Sequence, residues 1–283
     1  EQKMRKFSSA LMAKVYLDQT SQLDTKNSKK LNKILEQGLQ EIMELQNKDG
    51  SFDLWGTNHK TDIYKKLRNF YKRKDYLDLT AFIVKLLAQY EVINKGFKKA
   101  ATQRAMNYIK NQQKSDGSFD NNGKAQFKDL TRFSEIPRVS LTAYILIGIL
   151  ESENLSKNYQ EIVEKGLRFI DGNLNTILRE GTNYERAMTF YLYTLAEKNH
   201  EQLLNKLNEN AINRENLRYW EYKGKIPSSA VMQVEVTSYV ALGFVTLQKY
   251  QEVLPMTEFL LSKRNPKGGY STTSDTVLAL QAL

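Results

Sequence analysis

Apolar residues are spaced along this chain at two densities. In residues 4–17, Met4, Phe7, Leu11 and Val15 form a stripe with Ser8 and Ser9 on its flank; in residues 28–45, Leu31, Ile34, Leu35, Leu39, Ile42, Met43 and Leu45 form a wider one. Spacings of three and four put such residues on one side of a helix, so both segments predict amphipathic helices that pack by one face. Residues 98–112, 160–170 and 201–208 predict outer helices of the same half-wet kind. Residues 79–90 differ, being apolar at nearly every position except Lys85 and Gln89, and residues 141–150 and 236–247 resemble them. A helix apolar all round is buried on most sides. Residues 184–196 predict another inner helix, and the two densities together predict two layers.

Two phrases punctuate these helices. Gln46-Asn47-Lys48-Asp49-Gly50-Ser51-Phe52 returns as Gln113-Lys114-Ser115-Asp116-Gly117-Ser118-Phe119, each with an Asp-Gly pair ahead of an aromatic residue. That order predicts a helix end followed by a tight reversal. Arg264-Asn265-Pro266-Lys267-Gly268-Gly269-Tyr270 is a looser third copy. The next apolar helix opens with Leu79-Thr80-Ala81-Phe82, Leu141-Thr142-Ala143-Tyr144, Val236-Thr237-Ser238-Tyr239 or Asp275-Thr276-Val277-Leu278-Ala279. The two clear turns lie 67 residues apart, Gly50 to Gly117, and the helix openings are unevenly spaced. A short-period solenoid is thereby disfavoured, and a closed ring of helical hairpins fits better. Residues 120–138 read as a long polar loop, a place where function concentrates.

Composition narrows the class. The 283 residues are 41% hydrophobic, enough for a sizeable core, and no Pro/Gly/Ser-rich linker divides them, so one all-α domain over residues 1–283 is expected. No apolar run approaches the roughly 18 residues that cross a bilayer, and residues 1–30 lack a signal-peptide layout. Without cysteine the sequence holds no disulfide, thiolate metal site or cysteine nucleophile. The net charge of +10 is concentrated: Lys60, Lys65, Lys66, Arg68, Lys72, Arg73 and Lys74 face only Asp62 and Asp75 between Asn58 and Tyr76. Such a run is usually a solvated face; as a binding surface it suits an acidic protein or cell-surface partner better than nucleic acid. Asn154-Leu155-Ser156, in a polar connection, is an N-glycosylation acceptor if the chain is secreted.

The phrases together resemble the thioester domain of the alpha-macroglobulin and complement superfamily, insect thioester proteins included, over essentially the whole chain. Glu1-Gln2-Lys3-Met4 is similar to the end of the family motif Gly-Cys-Gly-Glu-Gln-Asn-Met, whose Cys and Gln condense into an internal thioester. Val234–Tyr239 and Arg264–Leu280 resemble family stretches in order and spacing. The resemblance implies an α/α toroid of six hairpins in two concentric rings, within a secreted multidomain protein of innate immunity or surface recognition. Its implied partners are neighbouring domains of the same chain and a microbial surface, protease or cell-surface protein; no cofactor is implied.

The resemblance also locates the chemistry. Gln2 would be the acyl half of a thioester whose Cys stands two residues before Glu1, and a nucleophile that displaces the sulfur becomes covalently attached. In members that transfer efficiently to hydroxyls, a His attacks first, from a loop resembling Gly-Lys-x-x-His-Lys-Asp. Here the run is Gly123-Lys124-Ala125-Gln126-Phe127-Lys128-Asp129, and Phe127 offers neither nucleophile nor base. Lys3 also replaces the family Asn. These departures resemble the insect macroglobulin complement-related branch, in which the fold is kept for binding.

Two alternatives are carried forward. One is an intact thioester that attaches to amines on microbes or proteases. The other is a toroid-fold carbohydrate-active enzyme, which needs only two carboxylates flanking a cleft. Asp49, Asp116 and Glu235 read instead as turn, cap or packing residues, so no enzyme and no metal site is expected. His59 and His200, the two histidines, read as surface residues.

Overall fold

The two densities of apolar residues become two kinds of helix in the computed structural model, which describes residues 2–53, 77–97, 99–120, 134–221, 230–266 and 268–283. The described elements are α1 (Gln2–Gln19), α2 (Thr25–Met43), α3 (Leu77–Ile93), α4 (Ala100–Gln112), α5 (Pro137–Leu150), α6 (Glu153–Asn158) and α7 (Gln160–Gly172). They continue with α8 (Leu174–Arg179), α9 (Asn183–Leu195), α10 (Glu201–Glu209), β1 (Ala211–Arg214), β2 (Leu217–Trp220), α11 (Ala230–Thr246), α12 (Tyr250–Ser262) and α13 (Thr273–Ala282). The fold is all-α, as its periodicity predicts. One antiparallel hairpin, Ala211 opposite Trp220 through Arg214 opposite Leu217, is the exception among the described residues.

The described residues form two compact units. The first lies within Glu1–Gln113 and Asp120–Lys128, the second within Lys114–Phe119 and Asp129–Leu283. In the first, α3 is covered on nearly every side and packs against α1 and α4. Helix α2 starts at Thr25, three residues before the predicted boundary, because Asp24 caps it by accepting from the Asn27 amide at 2.7 Å. Helix α1 departs from its predicted role. Ser8 is buried with Met4, Phe7, Ala10, Leu11 and Met12, so the expected flank is inside and α1 is covered on both sides.

In the second unit α5, α9, α11 and α13 are buried along most of their lengths and pack in that order. Outer helices cover them one to one: α7 on α5, α10 on α9, α12 on α11. The hairpin is fastened between layers. Trp220 Nε1 donates to the Leu207 carbonyl at 2.7 Å, Arg218 pairs with Glu252 at 2.6 Å, and Tyr219 stacks on Phe259 with ring centroids 4.5 Å apart.

The repeated phrases are one stereochemical device. In each clear copy the Asp carboxylate accepts from the Ser amide at 3.0 Å and the Ser hydroxyl at 2.7 Å, which closes the loop. The glycines have φ of +93° at Gly50 and +86° at Gly117. The aromatic amide then donates to the recurring threonine of the next inner helix: Phe52 to Thr80 and Phe119 to Thr142, both at 2.9 Å. Tyr270 does the same to Thr276, also at 2.9 Å. Turn phrase and helix-opening phrase therefore recur together because one donates the hydrogen bond that the other accepts.

Candidate functional site

Gln2 opens α1, and its backbone is helical. The side chains of Gln2 and Lys3 lie outside the described residues, as do Phe127, His59 and the basic residues Lys65, Lys66, Arg68, Lys72, Arg73 and Lys74. Asn154 is described, and it stands in the short helix α6 where the sequence predicts a polar connection. Ser152, which caps α6 by accepting from the Leu155 amide at 3.3 Å, is the signal that the sequence reading overlooked.

Downstream of residues 121–133, Ser134, Glu135 and Ile136 lead into α5, and all three are held by one buried carboxylate. Glu185 Oε1 accepts from Ser134 Oγ at 2.8 Å and from the amides of Glu135 at 2.7 Å and Ile136 at 3.3 Å. Its Oε2 accepts from the Thr182 amide at 2.8 Å and from the Thr182 hydroxyl, completing the capping box of α9. Glu185 thus joins the start of α5 to the start of α9. The Thr182-to-Glu185 spacing marks a cap in the sequence; the reach to residues 134–136 is long-range and leaves no local signal.

Behind this clip sits a group of buried tyrosines. Tyr184 and Tyr239 meet edge to face at 6.2 Å, Tyr191 lies 6.3 Å from Tyr239, and the Tyr191 hydroxyl donates to Glu151 at 2.9 Å. Gln281 also donates to Glu151, at 3.0 Å, which ties α13 to the end of α5. Burial, reinforced by the nearby Glu235 carboxylate, pushes the phenols of Tyr184 and Tyr239 far above their ordinary range. Burial and then Glu151 do the same to Tyr191. Phenols held that high keep their protons near neutrality and serve as donors and packing groups rather than as bases.

The carboxylates weighed for an acid-base pair are also placed. Asp49 and Asp116 are spent in the turns, and Glu235 is buried within α11. His200 differs from its expected surface position. It is half-buried at the start of α10, its ring edge-on to Phe190 at 5.5 Å and its Nδ1 3.1 Å from the Lys198 carbonyl. It borders an open cavity of about 380 Å³ with Thr194, Lys198 and Thr246, at the C-terminal ends of α9 and α11. Among the described residues no three His, Cys, Asp or Glu side chains cluster to hold a metal ion, and no helix is long and apolar enough to cross a membrane.

Comparison with known proteins agrees with the resemblance carried by the phrases. Thioester-containing protein 1 allele S3 of Anopheles gambiae is 26% identical over 286 residues, covering 100% of this chain and 19% of its own length. Allele R1 of the same mosquito protein is 25% identical over the same span. Complement C3 of Lethenteron camtschaticum is 28% identical over 228 residues, covering 76% of this chain and 13% of its own length. The chain thus spans about a fifth of the mosquito proteins it resembles. A family model described as the A-macroglobulin TED domain, the thioester domain of the complement type, matches residues 1–283, and the chain belongs to that family.

Proposed function

We propose that this thioester-type domain serves a secreted, complement-like protein of innate immunity or surface recognition, and that it acts by reversible binding rather than by covalent transfer. The carrying observation is Phe127 at the place of the family histidine. An aromatic hydrocarbon cannot form the acyl intermediate that speeds transfer to hydroxyls. Lys3 beside Gln2 is a second departure at the motif. The buried carboxylates of Glu185 and Asp275 are engaged in helix capping boxes, which supports a scaffold reading. The basic residues Lys65, Lys66, Arg68, Lys72, Arg73 and Lys74 are the proposed contact surface for an acidic partner, and neighbouring domains of the same polypeptide are its other partners.

The test is to incubate the full-length protein with microbial surfaces and with proteases, then wash in denaturing detergent. Complete release without a high-mass adduct is expected, with binding that weakens as salt rises. Adducts that survive denaturation would establish the second reading, an intact thioester that traps amines, for which the retained Gln2 speaks.

A further inference from the structure

We propose that Asn154 carries an N-linked oligosaccharide. Asn154-Leu155-Ser156 is the single Asn-x-Ser/Thr triplet in the sequence, and triplets of this kind are the acceptor for such glycans. Sequence alone cannot separate a used acceptor from a chance one. The side-chain hydrogen bonding around Asn154 shows that the folded domain spares the nitrogen on which the sugar would sit.

Helix α6 is anchored by Leu155, which is buried, while Glu153, Lys157 and Asn158 face solvent. Asn154 is half-buried between them, and the two ends of its amide have different fates. Its Oδ1 accepts from Asn158 Nδ2 at 3.1 Å, and the same nitrogen donates to the Asn154 backbone carbonyl at 2.7 Å. That pair of bonds fixes which end of the Asn154 amide is oxygen. Its Nδ2 donates to no described residue.

Other asparagines in this unit differ. The side-chain nitrogens of Asn173, Asn183, Asn210 and Asn265 each donate to a backbone carbonyl at 2.8 Å. A sugar on any of those nitrogens would replace one of the two N–H donors on an atom whose hydrogen bonding the fold uses. At Asn154 it would disturb no such hydrogen bond, because the glycosidic bond forms at nitrogen and leaves the carbonyl oxygen free to keep accepting from Asn158.

The co-substrate is an oligosaccharide carried on a polyprenyl diphosphate. Nδ2 bonds to the anomeric carbon of the first sugar, the bond from that carbon to the diphosphate oxygen breaks, the diphosphate leaves, and one amide proton is lost. Transfer requires the triplet to be open, and a six-residue helix has little stability before its tertiary contacts form. A glycan at this position covers the polar side of α6 and removes it from any protein interface, so partner surfaces lie elsewhere.

The inference rests on the extracellular reading, and the experiment separates the two. The native full-length protein is isolated both from extracellular fluid and from cells, treated with peptide N-glycosidase in heavy-oxygen water, and digested with trypsin. The expected result is that peptide Val139–Lys157 from the fluid appears only after the glycosidase, with Asn154 converted to heavy-oxygen aspartate. In an expressed full-length protein, Asn154→Gln should abolish one glycosidase-sensitive step in gel mobility while secretion persists. Protein in the fluid with unmodified Asn154 overturns this proposal alone. Protein found only inside cells, with the peptide unmodified, overturns it together with the extracellular reading.

Discussion

The turn at Lys114–Phe119 and the turn at Asn265–Tyr270 end on the same hydrogen bond, an aromatic amide to a threonine hydroxyl at 2.9 Å, yet they are built under different constraints. A side chain on Gly117 would collide with the backbone carbonyl of Lys165 in α7. One on Gly268 would meet only the guanidinium end of Arg264, at 3.1 Å. The glycine of the first turn is wedged against the backbone of an outer helix, while that of the second faces a flexible side chain. Positive φ sets the glycine in both, +86° and +82°, but only the first also needs glycine for space. The acids near the two turns differ as well. Asp116 is half-exposed, and bonds from Ser118, then Arg138, hold its carboxyl below the ordinary range. Asp275 is buried, and desolvation raises its carboxyl despite the bonds from Thr272 and Ser271.

The largest expected effect is at the wedged turn. Gly117→Ala combines a disfavoured backbone region with a clash against backbone that cannot move aside, and should cost about 3–5 kcal/mol. Urea unfolding read at the midpoint would show it. Gly50→Ala should match it, since its Cβ would strike the Arg104 carbonyl. An equal loss from Gly268→Ala would break the comparison. Next comes Thr142→Val, which keeps shape but leaves the Phe119 amide buried without an acceptor, for a loss of about 1–3 kcal/mol. Thr276→Val should lose a similar amount at Tyr270, because this bond is the shared part of the two turns. Gly268→Ala follows, at about 1–2 kcal/mol from backbone strain alone.

The smallest effect is the pH dependence, and its two signs oppose each other. Asp116 has a folded pKa below its unfolded one, so its contribution is present above the ordinary value of 3.8 and is lost as pH falls through the folded value. Its exposure limits that contribution to a fraction of 1 kcal/mol. Asp275 has a folded pKa above 3.8, so the folded state takes up a proton first and acidification favours it over that window. Asp116→Asn should therefore flatten the acid-side fall in stability, and Asp275→Asn should steepen it. Unfolding curves collected across that pH range would check both.

Much of this was legible in the sequence because the repeated phrases are local. Asp-Gly-Ser-Phe names its turn, and nearly continuous apolar runs name the buried helices. What escaped depended on contacts remote in sequence. Ser8 looks like a flank residue until α1 is seen covered on both sides. The hairpin from Ala211 to Trp220 turns at Glu215, a non-glycine residue with φ of +52°, and carries no Asn-Gly or Asp-Gly signal. Glu185 is legible as a cap partner of Thr182, but its hold on residues 134–136 spans about fifty residues of chain. Of the site itself, Gln2 and Phe127 were legible only through resemblance to family motifs, since neither residue has a local pattern that marks a role.

The most direct test of a domain that binds without covalent transfer is the mass of the native full-length protein before and after methylamine, with labelling of any thiol released. No incorporation at Gln2 and no new thiol are expected. Methylamine on Gln2 together with a newly labelled cysteine would contradict binding without covalent transfer and establish an intact thioester.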